Sequence, residues 1–257
     1  MNLHLTDKVI IVTGGAKGIG EAIVRLLVEE GAIPVIVDKD EQASRKILSE
    51  FPGKVYFVQT DLISSLACKK AVNEILSHYD RINGLVNNAG FNDGIGLEKG
   101  TPEKFIQSMN NNAGHFYFMA HYALPQLKVS KGSIVNIGSK TSVTGQGNTS
   151  GYVAAKGAIL GLTREWAVEL LPYSIRVNAV IPAEVHTPLY DSWISSFAKP
   201  EEKLKSVTSK IPLEHRLTTP KEIASIVAFL LSNQSSHTTG QWIHVDGGYT
   251  HLDRAIS

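Results

Sequence analysis

Tyr152 and Lys156 stand four residues apart, Ser139 lies 13 residues before the tyrosine, and all three follow a glycine-rich run, TGGAKGIG, over residues 13–20. If the segment from Tyr152 is helical, the phenol and the ammonium share one face a turn apart. A free phenol titrates near pH ~10, and a neighbouring ammonium is expected to favour the phenolate and bring it toward the working range of a general base. Ser139 follows a β-branched run and can hydrogen-bond the oxygen whose proton Tyr152 would take.

The glycine run describes a second kind of chemistry. Gly14, Gly18 and Gly20 fall where an apolar run, Lys8 to Val12, gives way to helical periodicity, so backbone amides and the positive helix end can face a pyrophosphate. Asp38 ends the next apolar run, 18 residues beyond Gly20, near the spacing at which an acid hydrogen-bonds an adenosine ribose 2′-hydroxyl. Its carboxylate would repel a 2′-phosphate. That favours NAD over NADP, opposed by Lys17 and Lys39, either of which could partly neutralise such a phosphate. The competing reading of Asp38 is a cap for the following helix.

These groups need a scaffold, and the pattern supplies one. Lys8 to Val12, Ile33 to Val37, Val55 to Val58, Gly84 to Val86, Ser133 to Ile137, Ile175 to Val180 and Trp242 to Val245 read as strands separated by segments of helix length. Repeated βαβ alternation predicts an α/β fold, a single-domain doubly wound parallel sheet of Rossmann type with helices on both faces, spanning 1–257. Pro34 cannot donate to a ladder, which places it near the start of its strand. Residues 182–220 carry no clear strand and follow the carboxyl end of one, where ligands bind in open α/β sheets; this stretch is expected to be a substrate lid, or else a packing insertion.

Composition narrows the partners. A chain of 257 residues with 43% hydrophobic side chains and net charge +1 can bury one substantial core and shows no basic, aromatic-interleaved stretch for nucleic acid or an anionic membrane. The single cysteine, Cys68, reads as a small buried hydrophobe, and the nine histidines show no metal-ligand spacing, so no metal is expected. The amino terminus lacks a signal pattern and no apolar run approaches a membrane span, so a soluble cytoplasmic protein is expected.

The Gly-x-x-x-Gly-x-Gly turn, the blocks Thr60-Asp61-Leu62, Asn87-Asn88-Ala89-Gly90 and Pro182-Ala-Glu-Val-His-Thr187, and the Ser139, Tyr152, Lys156 set occur in the order of the short-chain dehydrogenase/reductase family, which the chain resembles over essentially its whole length. The resemblance implies hydride transfer between a CH–OH carbon and a nicotinamide, with Tyr152 as base, Lys156 beside it, Ser139 positioning the substrate oxygen and Asn111 in a proton relay. It implies cofactor contacts from Gly14, Lys17, Gly18, Ile19, Gly20, Asp38, Asp61, Leu62, Asn88, Ala89, Gly90, Tyr152, Lys156, Pro182, Val185 and Thr187. Asn87 is expected to brace the sheet instead. The three consecutive asparagines at 110–112 leave the relay position open by one residue. Two departures stand out: Gly138 where a serine is common, and Ala183 where a glycine is. The family also implies a homotetramer, with interfaces near residues 113–127 and 151–171.

Within that family, the blocks at 92–98, 140–152, 163–167, 178–190 and 245–255 are similar to those of bacterial L-fucose dehydrogenases. Such a resemblance implies oxidation of the anomeric carbon of L-fucose to a lactone, with D-arabinose or L-galactose also accepted. The residues suit a sugar on their own chemistry, because its hydroxyls are both donors and acceptors and call for fixed polar groups. Asn92, Gln146, Glu184 and His186 offer these, and Trp193 could stack on the ring or anchor the lid. A reductase of 3-oxoacyl thioesters or hydroxysteroids is the competing enzyme, and a non-catalytic nucleotide-binding regulator the competing class.

Overall fold

The computed structural model describes residues 2–252, so the end of the block at 245–255 lies outside the described residues. All seven expected strands form: β1 (Val9–Thr13), β2 (Ile33–Asp38), β3 (Tyr56–Gln59), β4 (Gly84–Asn87), β5 (Ser133–Ile137), β6 (Arg176–Pro182) and β7 (Trp242–Val245). They make one sheet in the order β3-β2-β1-β4-β5-β6-β7, every pair parallel. The order reverses between β1 and β4. A crevice opens there at the carboxyl ends of the strands, the place where doubly wound sheets bind ligands.

The helices are α1 (Gly18–Glu29), α2 (Glu41–Glu50), α3 (Ser65–Tyr79), α4 (Pro102–Met109), α5 (His115–Ser130), α6 (Thr141–Thr144), α7 (Ser150–Glu169), α8 (Pro188–Ser195), α9 (Pro200–Thr208) and α10 (Pro220–Leu231). Alternation along each strand feeds two cores. Val9 and Ile11 of β1 pack with Cys68 and Ile75 of α3, Phe116 and Met119 of α5, and Ile159 of α7. Ile10 and Val12 face the other way, onto Ile23 and Leu27 of α1 and Val227 and Leu231 of α10. Coverage on both faces explains why β1 reads as an unbroken apolar run and not as an alternating one. Each such large side chain contributes about 1.5–3 kcal/mol by leaving water.

Pro34 is the second residue of β2, opposite Ile10 of β1. It is tolerated in an interior strand because β3 only begins pairing at Val35, so that side of Pro34 has no ladder partner. Cys68 is fully buried, and burial pushes its thiol up to about 11.

Residues 182–220 are not structureless. They carry α8 and α9 and are tied back by a bridge between Val185 and Thr218. Among the described residues, no helix is long and apolar enough to cross a membrane.

Candidate active site

The turn from β1 into α1 is shaped by glycine where nothing else fits. Gly14 has φ +63°, and a Cβ there would lie 2.9 Å from Ala89 Cα; a Cβ on Gly20 would lie 2.0 Å from Gly14 O. Asn88 locks the turn from the other side, donating through Nδ2 to the carbonyls of Thr13 and Gly14, each at 3.0 Å. The loop therefore keeps its backbone at the crevice wall with no side chain in the way, a cradle that fits a pyrophosphate.

Asp38 sits at the tip of β2, where its carboxylate accepts from the backbone N–H of Ala16 at 3.1 Å and of Asp40 at 3.0 Å. It does not cap α2; Asp40 does, accepting from Ala43 N at 2.9 Å. Lys17 is engaged by Asp40 at 2.6 Å.

A cavity of about 1060 Å³ runs from this turn to α8. It is lined by Gly14, Lys17, Gly18, Ile19, Asp38, Lys39, Asp61, Leu62, Asn88, Ala89 and Gly90 at one end, and by Asn111, Ser139, Tyr152, Lys156, Pro182, Glu184, Val185, Thr187 and Trp193 toward the other. Asn92 and Gln146 line it as well. Its size suits a dinucleotide together with a small second ligand.

Two expected contacts are not brought there. Gly20 is buried under Gly14, so it shapes the turn and does not reach the cavity. His186 is a correction: its imidazole is 62% exposed and pairs with Asp191 at 3.1 Å on the outside of α8. The backbone explains this, because His186 N and Thr218 N are both spent on a ladder-like bridge that turns this side chain outward.

At the catalytic end, Tyr152 and Lys156 lie one turn apart in α7. Lys156 Nζ donates to Ile137 O at 2.8 Å and lies 5.7 Å from the centre of the Tyr152 ring. Gly90 lies alongside with φ +152°, and a Cβ there would meet Asn112 Oδ1 at 3.0 Å. The expected lowering of the phenol is reversed. Burial pushes Tyr152 up to about 12, helped by the Glu184 charge and opposed by Ser139, and burial brings Lys156 down to about 7. Burial disfavours the charged form of both groups, and the ammonium is aimed at a strand carbonyl.

Of the three consecutive asparagines, Asn111 is the one that lines the cavity. Residues 110–114 form one π-helical turn between α4 and α5, a distortion common at functional sites. Asn112 faces inward, accepting from Phe91 N at 2.8 Å and donating to Ser108 O at 3.1 Å. Asn111 lines the cavity, and its buried Oδ1 has no partner among the described residues. Asn87 braces the sheet, donating to Asn136 Oδ1 at 3.1 Å.

His115 and Lys140 are among the cavity residues that the sequence did not single out. His115, 2% exposed, donates through Nε2 to Asn111 O at 3.2 Å. Lys140, directly after Ser139, is buried at 7% exposure and paired with Glu184. The lysine's position beside the serine was visible, but nothing in the sequence alone marks a lysine as buried. Trp193 lines the cavity and also packs edge-on against Tyr190 and Phe197, at 5.3 and 5.1 Å.

The glycine cradle, the acid at the tip of β2 and the Ser139, Tyr152, Lys156 cluster define a dinucleotide-dependent oxidoreductase on a doubly wound sheet. The profile of the family described as enoyl-(acyl carrier protein) reductase matches residues 14–250, and the chain belongs to the short-chain dehydrogenase/reductase family, whose members use NAD(P). It is 35% identical to an L-fucose dehydrogenase of Bos taurus over 96% of this chain and 91% of that protein. It is 34% identical to a 3-oxoacyl-[acyl-carrier-protein] reductase of Thermotoga maritima over 96% of this chain and 99% of that protein. The crystal structure of the Cj0485 dehydrogenase superposes with a TM-score of 0.96 at 45% identity, covering 99% of this chain and 98% of that one.

Proposed function

We propose that the protein oxidises the anomeric carbon of L-fucose to the aldonolactone with NAD, and accepts D-arabinose or L-galactose. The observation that carries this reading is the set of polar side chains Asn92, Gln146 and Glu184, which line the cavity together with Ser139 and Tyr152. A sugar matches fixed amides and carboxylates, whereas a steroid or an acyl chain prefers apolar walls. The bovine relative is named an L-fucose dehydrogenase, which supports the sugar.

In this reading Tyr152 takes the hydroxyl proton, and Ser139, next to it, holds the same oxygen. Bound NAD supplies the hydride acceptor. Tyr152 passes that proton on toward Lys156, and Asn111, which lines the same cavity, connects the lysine with solvent. Orientation and proton transfer are the protein's whole contribution to the step. The Asp38 carboxylate, held by two backbone amides, hydrogen-bonds the adenosine ribose and disfavours a 2′-phosphate. Pro182, Val185 and Thr187, which line the cavity, would contact the nicotinamide, and residues 182–220 would serve as the lid.

The 3-oxoacyl reductase relative makes that activity the second reading. Initial rates of NADH and NADPH appearance with L-fucose, D-arabinose, L-galactose and D-fucose separate the two. Turnover of L-fucose with NAD, little with D-fucose and a poor NADP rate support the proposal. Failure of every sugar, with reduction of an oxoacyl thioester, would replace the substrate while keeping the catalytic set.

A further inference from the structure

Lys140 and Glu184 come from neighbouring strands. Beyond the end of β5 the chain stays paired with β6, Gly138 N donating to Val180 O and Lys140 N to Pro182 O, each at 2.9 Å. This lays Lys140, one residue past Ser139, against Glu184, two residues past Pro182. Their side chains are 8% and 18% exposed. The Lys140 ammonium donates to Glu184 Oε1 and lies 3.8 Å from the centre of the Tyr249 ring. The buried Tyr190 hydroxyl stands beside the same carboxylate, and the Glu184 charge reaches Tyr152. Both members of the pair line the cavity.

A buried ion pair is a poor way to stabilise a fold, because apolar replacements of similar volume commonly serve as well or better. Its position here offers another reason for it. An ammonium has three protons; the carboxylate takes one and the Tyr249 face attracts the charge, which leaves donor capacity for the cavity. The carboxylate likewise keeps acceptor capacity. Donor and acceptor side by side complement a hydroxyl group, which needs one of each.

We propose that Lys140 and Glu184 form a clamp for the substrate hydroxyl on the carbon next to the reacting one, with Lys140 as a specificity-determining residue. The proposal rests on the sugar reading and extends it, since that reading assigns no role to Lys140. Ser139 fixes the reacting oxygen, and the residue that follows it is placed to hold the adjacent one. An acyl thioester or a steroid would bring no hydroxyl to the pair and would leave its spare donor and acceptor unsatisfied.

The test compares kcat/KM for L-fucose and for its 2-deoxy form in the wild type, Lys140→Met, Lys140→Arg and the double variant Lys140→Met/Glu184→Gln. The double variant keeps the fold assessable, because it leaves no unpaired buried charge. NADH binding by fluorescence reports on the cofactor site. The wild type is expected to prefer L-fucose by 10-fold or more. Lys140→Met and the double variant should reduce that preference to less than 3-fold, through a higher KM for L-fucose, with NADH affinity unchanged and Lys140→Arg intermediate. A double variant that binds NADH and keeps the wild-type preference overturns the clamp and makes the pair a structural brace. A wild type inactive on all sugars overturns the sugar reading and the clamp with it, so the two failures are told apart by the wild type alone.

Discussion

His115 is neutral at pH 7 because of where α5 places it. Burial, and then the nearby Lys156 charge, bring it down to about 4. The unfolded chain holds its histidine near ~6.5, so between 6.5 and 4 the unfolded state binds the extra proton. Stability should fall as pH drops through that window, by at most about 1.4 kcal/mol per pH unit. Denaturant unfolding at pH 4.5 and 7 should show a larger loss for the wild type than for His115→Leu; equal losses would remove His115 as the cause. Tyr152→Phe keeps the ring and removes the proton acceptor. Turnover should drop by 10² to 10⁴-fold, while NADH binding stays within twofold; retained activity would exclude Tyr152 as the base. The spacing of Tyr152, Lys156 and Ser139 was readable because a helix converts four residues into one face. The reversed direction at Tyr152 was not, since desolvation depends on the surroundings that the fold assembles. The outward direction of His186 was hidden for a related reason, as one bridge to Thr218 decides which way its neighbours turn.

At the level of elements, the strands were the most legible part. Ser133–Ile137 and Trp242–Val245 appear with the bounds expected, and the others shift by a residue or two. A strand buried on both faces writes itself as a run of Val and Ile. The π-turn at 110–114 carries no such signature, because one extra residue in a helical turn leaves the apolar period almost unchanged. The β1–α1 turn makes the sharpest prediction here. Gly14→Val would combine a positive φ with a Cβ only 2.9 Å from Ala89 Cα, so the turn must move. NADH affinity should fall at least 10-fold with the far-UV circular dichroism preserved. Unaltered affinity would show that the loop does not carry the dinucleotide.

For the molecule as a whole, α5 and α7 leave large apolar groups in water: Tyr117 is 52% exposed and Val168 66%, with Leu171 just beyond α7 at 57%. We propose that these faces join copies of the chain into a homotetramer. Sedimentation should give a mass near four chains of 27.9 kDa, and Val168→Glu should shift it to smaller species, since a buried carboxylate without a partner is costly. A wild type that sediments as a monomer would end the proposal. Tyr117 and Val168 could be assigned to helices from the sequence, but an outward direction is only known once the sheet has taken the other faces.

The cavity is continuous from Asp38 to Trp193, and α8 borders it with Thr187 at its start and Trp193 near its end. If the nucleotide and the sugar bind as proposed, one short helix touches both and the two reactants share a single corridor. Their arrival should have an order, the nucleotide first and the sugar over it. In steady state, NADH should then compete with NAD while the lactone does not compete with the sugar at low NAD. Each ligand should also tighten the other by the same factor at equilibrium. Random arrival, with independent affinities, would mean that α8 serves the two ends separately.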